Sequence, residues 1–159
     1  MPKLIVVIGL PGSGKSHYVH ELRGSCQGVC AEDYMASSHN NSSRFTDSRH
    51  YADLIRDLRD GKDCVIADIE YCDTWRRVEV EEVVARDVPG VTIEWHCFEN
   101  NPTQCNANVD SRNRKNAEEE KKKVRHLSQK YQIPFCAKVI PVWTPFYFLF
   151  VSFCFGIGH

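Results

Sequence analysis

The chain has 159 residues, which suits one compact domain, and 42% hydrophobic with 26% charged residues are the proportions of an ordinary globular protein. Its net charge of -1 excludes a global field that would draw the whole molecule to nucleic acid, so any site for a polyanion must be local. Its eight cysteines stand singly, with no CxxC pair, which argues against a zinc ribbon or a thioredoxin-type centre and for reduced, mostly buried thiols in a cytoplasmic protein.

Leu4 to Ile8 is an apolar run without polar alternation, the pattern of a strand buried on both faces of a parallel sheet. It is too short to be the core of a signal peptide. Lys15 to Leu22 reads as a helix ended near Gly24, and Gly28 to Ala31 as a short strand. Ser and Asn crowd residues 35 to 46, which predicts a loop. Asp47 or Ser48 is placed to cap a helix whose apolar positions Tyr51, Leu54, Ile55 and Leu58 share one face. Asp60-Gly61 stops it, and Cys64 to Ala67 forms a buried strand that ends at Asp68.

Asp73 then caps a helix running to about Arg86, closed by Pro89-Gly90. Val91 to Phe98 is the next strand, and Asn101-Pro102 has the cap-then-proline pattern of a helix start. Charged residues dominate 110 to 126, and Ala137 to Val142 supplies a last strand. Strands alternating with helices predict an α/β fold with a mostly parallel sheet.

The chemistry begins at Gly9-Leu10-Pro11-Gly12-Ser13-Gly14-Lys15-Ser16, a complete GxxxxGK[ST] between a buried strand and a helix. The glycines let successive backbone N–H groups converge on phosphate oxygens, and the helix that follows adds its positive N-terminal end. Lys15 is the cation for the β- and γ-phosphates and Ser16 a magnesium ligand, so the expected ligand is a purine nucleoside triphosphate, ATP with Mg2+.

Three shorter signals follow. Asp68, at the carboxyl end of an apolar strand, is a candidate to hold the magnesium directly or through water, with Glu70 and Asp73 close enough to share the task. Glu32-Asp33-Tyr34 offers a carboxylate to take a proton from an acceptor hydroxyl; Asp33 is favoured, with Glu32 the alternative. Arg112 and Arg114 are candidates to neutralise charge on a transferring phosphoryl group from a mobile flap. Within the same stretch, Arg112 and Lys115 stand three apart and are expected to share a helical face. The run Glu118 to Lys123 reads as a solvated helix held by its own ion pairs.

With these motifs in order, "IGLPGSGKS", "EDY", "VIAD" and "RNR", the chain resembles the P-loop kinase-type ATP-binding proteins of the AAA_33 kind, a group similar to polynucleotide kinase and zeta-toxin kinase domains. The resemblance spans about residues 3 to 143. It implies a P-loop NTPase α/β/α sandwich with strand order 2-3-1-4-5 and a helical lid at about 108–126 carrying Arg112 and Arg114. It also implies the phosphate and metal roles of Lys15 and Ser16 and the base role of Asp33 or Glu32. His17-Tyr18 after Ser16 departs from the Thr and aromatic residue that relatives often carry there.

Residues 1–144 are thus expected to form a kinase-like domain, and 145–159 a separate apolar tail. Counted back to Val139 the tail makes 20 uncharged residues, a membrane-spanning length that would consume the last strand, Pro141 and Pro145. An added strand or a segment covered by a protein partner, and an atypical or artefactual end, are the other readings of it, and a membrane is not the expected partner. The expected reaction is transfer of the γ-phosphoryl group of Mg-ATP to a hydroxyl acceptor, either a small molecule or a nucleic-acid 5′-hydroxyl. The rival is a nucleotide-dependent switch or ATPase that acts through a protein partner.

Overall fold

The computed structural model describes residues 1–36 and 44–145, so the reading of the apolar tail beyond Pro145 lies outside the described residues. Strand β1 (Lys3–Ile8) is the centre of a five-stranded sheet with the order β2-β3-β1-β4-β5, every pair parallel. Its neighbours are β3 (Cys64–Ala67) and β4 (Thr92–Phe98), with β2 (Cys30–Ala31) and β5 (Lys138–Ile140) at the edges. Both the parallel sheet and its order match the expectation from sequence.

The unbroken apolar character of β1 follows from burial on both faces. Leu4, Val6 and Ile8 enter a large core with residues of α2 (Tyr51–Arg59) and α3 (Thr74–Asp87). Ile5 and Val7 face the opposite way, into a smaller cluster with Val19 of α1 (Lys15–Arg23) and Phe98 of β4. A side-chain period of two sends alternate residues to the two faces, and each face is covered. The result is a three-layer α/β sandwich.

Elsewhere the elements are trimmed relative to the sequence reading. β2 keeps only two residues and β5 ends before Pro141, whose missing N–H cannot extend a ladder. A short 3-10 turn, Phe45–Asp47, precedes α2, whose N-cap is His50; Ser48 instead accepts from the His50 N–H at 3.2 Å and donates to the Tyr34 carbonyl at 2.8 Å. A second 3-10 turn, Ile69–Cys72, separates Asp68 from α3. Asn101 caps α4 (Pro102–Ser111) as expected, its side chain accepting from the Gln104 N–H at 3.1 Å. α5 (Ala117–Ser128) packs on α4, and together they form the helical pair beside the P-loop.

Among the described residues the cysteines are free, with Cys64, Cys72, Cys97 and Cys105 buried. No helix among the described residues is long and apolar enough to cross a membrane.

Candidate active site

Parallel strands deliver their carboxyl ends to one edge of the sheet, and three of the sequence motifs arrive there side by side. β1 ends at Ile8 and opens into the P-loop, its neighbour β3 ends at Ala67 before Asp68, and β2 ends at Ala31 before Glu32-Asp33. Gly12 and Gly14 adopt φ values of 82° and 106°, the left-handed region in which a side chain is strained. Close packing adds a second constraint at Gly12, where a Cβ would stand 2.5 Å from the Cys105 carbonyl oxygen of α4.

The loop is clamped from outside by Asn108 of α4. Its amide donates to the Gly12 carbonyl at 2.8 Å and the Trp143 carbonyl at 2.7 Å, while its oxygen accepts from Gln104 Nε2 at 2.9 Å. Trp143, after β5, donates its own N–H to the Ser13 carbonyl at 3.0 Å. One buried amide therefore joins the P-loop, the helical pair and the segment after β5. The Ser13 hydroxyl, fully buried in the same loop, has no hydrogen-bond partner among the described residues.

The Lys15 ammonium lies back over its own loop and donates to the carbonyls of Gly9 and Leu10 at 2.8 and 3.0 Å. Burial lowers its pKa from the ordinary lysine value, opposed by the negative groups around it. Burial also pushes the thiols of Cys72 and Cys105 up to about 12 and about 11. Both thiols stay neutral near pH 7, which leaves the carboxyl groups of Asp68 and Asp33 as the acids facing Lys15.

Asp68 is 3% exposed, and both of its carboxylate oxygens are engaged: one accepts from the Met35 N–H at 2.8 Å, the other from the Glu70 N–H at 2.9 Å. Burial raises its pKa, against the lowering effect of those two N–H groups. The Tyr34 N–H adds a bond to the Ala67 carbonyl at 3.1 Å, so the end of β3 grips the turn that follows β2.

That grip holds Asp33 at φ 48°, a left-handed conformation uncommon for a residue other than glycine and sustained only where the surroundings enforce it. Asp33 lines a pocket of about 240 Å3 with Pro11, Gly12, Gly14, Lys15 and Ser16 of the P-loop. Glu32 is exposed, Asp68 is buried, and neither is part of the pocket lining.

The opposite wall comes from the link between α4 and α5 and from α5 itself, through Arg112, Arg114, Asn116, Glu120 and Lys123. Arg112 ends α4, and the link then turns through Asn113 at φ 50°; Arg112 and Lys115 therefore do not share a helical face, and Lys115 does not line the pocket. Arg114 approaches Glu120 at 3.8 Å, whereas Arg112 has no ion pair among the described residues. Lys123, read from sequence as part of a solvated charge run, lines the same pocket.

No cluster of three or more His, Cys, Asp or Glu residues able to hold a metal exists among the described residues. Magnesium bound with a triphosphate needs only one or two protein ligands beside waters and phosphate oxygens. The exposed Ser16 fits that requirement in the pocket; the doubly engaged Asp68 fits contact through a water.

The profile of the AAA domain family AAA_33 matches residues 4–134, a span that runs from β1 past the end of α5. The chain belongs to this AAA domain family. A P-loop kinase-like fold for nucleotide binding is thereby established, in agreement with the resemblance drawn from the motifs. The chain is also 31% identical over 115 residues to uncharacterized protein R277 of Acanthamoeba polyphaga mimivirus, covering 70% of this chain and 73% of that protein.

Among solved structures, that titled "Crystal structure of APE1195" superposes with a TM-score of 0.58 at 15% identity, over 98% of this chain and 94% of the other, a likeness of fold. A chain of the Pnkp1/Rnl/Hen1 RNA repair complex aligns over 84% of this AAA domain chain and 48% of its own length, with a TM-score of 0.48 and 17% identity.

Proposed function

We propose that this AAA domain protein is an ATP-dependent phosphotransferase that moves the γ-phosphoryl group of Mg-ATP to a hydroxyl acceptor. The observation that carries the reading is Asp33, an acid held in a left-handed turn at the edge of the same pocket as the P-loop and the two lid arginines. A carboxylate pinned opposite a phosphate cradle is what proton removal from an attacking hydroxyl requires.

In this mechanism the N–H groups of Gly12 to Ser16 receive the β-phosphate, and the Lys15 ammonium exchanges its two loop carbonyls for β- and γ-phosphate oxygens. The acceptor oxygen attacks the γ-phosphorus as its proton passes to the Asp33 carboxylate. The bond from phosphorus to the β,γ-bridging oxygen breaks, and ADP leaves. Lys15, Arg112 and Arg114 stabilise charge on the phosphoryl oxygens during transfer. Magnesium, held by Ser16 and through water by Asp68, supplies neutralisation of the triphosphate when bound.

The partition of label from γ-labelled Mg-ATP tests the reading. Label on an acceptor hydroxyl, absent in Lys15→Ala protein that is still folded, supports it. Label released only to water, at a rate raised by a protein partner, would replace it with the switch or ATPase reading.

A further inference from the structure

A second depression, about 470 Å3 in volume, adjoins the phosphate pocket and shares Ile69 and Lys123 with it. It lies between the start of α3 and one face of α5, with Ile69, Trp75 and Leu127 as its apolar lining and Lys122, Lys123 and Lys130 among its basic groups. We propose that this groove binds the acceptor, and that the acceptor is a nucleotide unit whose base stacks on Trp75 and whose phosphate pairs with Lys122 and Lys123. This deepens the phosphotransferase reading and rests on it.

Trp75 is the first reason. It is 56% exposed, far from the usual state of the bulkiest apolar side chain, and the Arg76 guanidinium stands 4.0 Å over its ring. One face of the indole is thereby backed by a cation that is itself buried and bonded to Glu70 at 3.2 Å and Glu79 at 3.6 Å. A flat ring fixed in this way is a platform for a base, because stacking needs a rigid π-surface and is tolerant of base identity.

Charge is the second. The two acids of the groove are already matched, Asp73 with Lys130 at 2.9 Å and Glu70 with Arg76. Lys122 and Lys123 have no ion pair among the described residues, although Lys121 beside them is paired with both Asp110 and Glu118. Two uncompensated ammonium groups therefore border an apolar floor, a combination that favours an anionic aromatic ligand over a neutral sugar or a cationic amine.

Continuity is the third. Lys123 and Ile69 line both depressions, so the groove adjoins the pocket that Asp33 lines. In the proposed binding mode the ligand's hydroxyl crosses Ile69 toward Asp33. The transfer is then the one already balanced above, with this hydroxyl as nucleophile, Asp33 taking its proton and ADP leaving.

Binding without turnover separates this inference from the reaction itself. With the P-loop saturated by a non-hydrolysable ATP analogue, equilibrium dialysis is run with labelled thymidine 3′-monophosphate, a 5′-hydroxyl trithymidylate, thymidine and a sugar phosphate lacking a base. The mononucleotide and the trinucleotide should bind, thymidine and the sugar phosphate at least about tenfold more weakly. Trp75→Ala should weaken nucleotide binding about tenfold or more, Trp75→Phe should restore it, and Lys122→Ala should erase the preference for the phosphorylated compound. Equal affinity for mononucleotide and trinucleotide would mark a free nucleotide as the ligand, and tighter trinucleotide binding the end of a strand. Nucleotide affinity unchanged by Trp75→Ala, or binding abolished by more ATP analogue, would overturn the proposal. Nucleotide binding with no phosphoryl transfer to any compound would keep the groove and overturn the phosphotransferase.

Discussion

Asn108→Ala removes a single amide that ties three segments together, and its cost follows from the two carbonyls it would abandon. The Gly12 carbonyl lies in a buried bond of 2.8 Å, and no other donor reaches it among the described residues. Leaving it unpaired costs roughly 1–3 kcal/mol. The Trp143 carbonyl, bonded at 2.7 Å, belongs to a residue that is 38% exposed, so water compensates it and its loss is worth about 0.5–1 kcal/mol. The sum is roughly 1.5–4 kcal/mol against a total stability of about 5–15 kcal/mol for a domain. Asn108→Asp should cost more, because a carboxylate places acceptor against acceptor. Urea unfolding measures the stability, and titration with Mg-ATP measures the loop, whose nucleotide affinity should fall about tenfold as its N–H groups lose their fixed aim. An Asn108→Ala protein within about 0.5 kcal/mol of wild type, with unchanged affinity for Mg-ATP, would refute the clamp.

Two further perturbations probe the same frame. Gly12→Ala combines a φ of 82° with a Cβ 2.5 Å from the Cys105 carbonyl, and should lower stability by roughly 2–4 kcal/mol in urea unfolding; an unperturbed midpoint would contradict the packing of α4 on the P-loop. His96 is held below its ordinary value of 6.5 by burial, which outweighs Glu94 beside its Nε2; the Tyr18 hydroxyl at 2.7 Å from Nδ1, Lys3 and Lys138 complete its surroundings. The unfolded chain therefore binds the proton first as pH falls, so stability should drop below about pH 6.5 and level off above it. Thermal melting between about pH 5 and about pH 8 should show that slope in wild type and a flatter one in His96→Gln. A slope of opposite sign would mean that the fold favours the imidazolium.

What could be read in the sequence follows from how local each signal is. β1 and β3 announce themselves because both of their faces are buried, and the P-loop because glycine spacing and the invariant demands of a phosphate nest coincide within eight residues. Asp33 and Glu32 are chemically alike in sequence; the structure separates their positions through φ and through the grip of Asp68 on Met35. The helical pair was the least legible part. In Glu118 to Lys123 every face of the helix is charged, so nothing in the pattern distinguishes Lys123, which lines the pocket, from Lys121, which is spent on Asp110 and Glu118. Asn108 and Trp143 are 35 residues apart, and a bond between them leaves no trace in local periodicity. The two-residue β2 and the 3-10 turn after Asp68 are too short to carry a pattern at all.

The phosphotransferase account stands or falls on Asp33, and single-turnover transfer of γ-label from Mg-ATP to an acceptor measures it most directly. The account predicts a rate at least about 100-fold lower in Asp33→Asn with Mg-ATP binding retained, little change in Glu32→Gln, and loss of both nucleotide binding and transfer in Lys15→Ala. Full transfer by Asp33→Asn, or a collapse confined to Glu32→Gln, would contradict it.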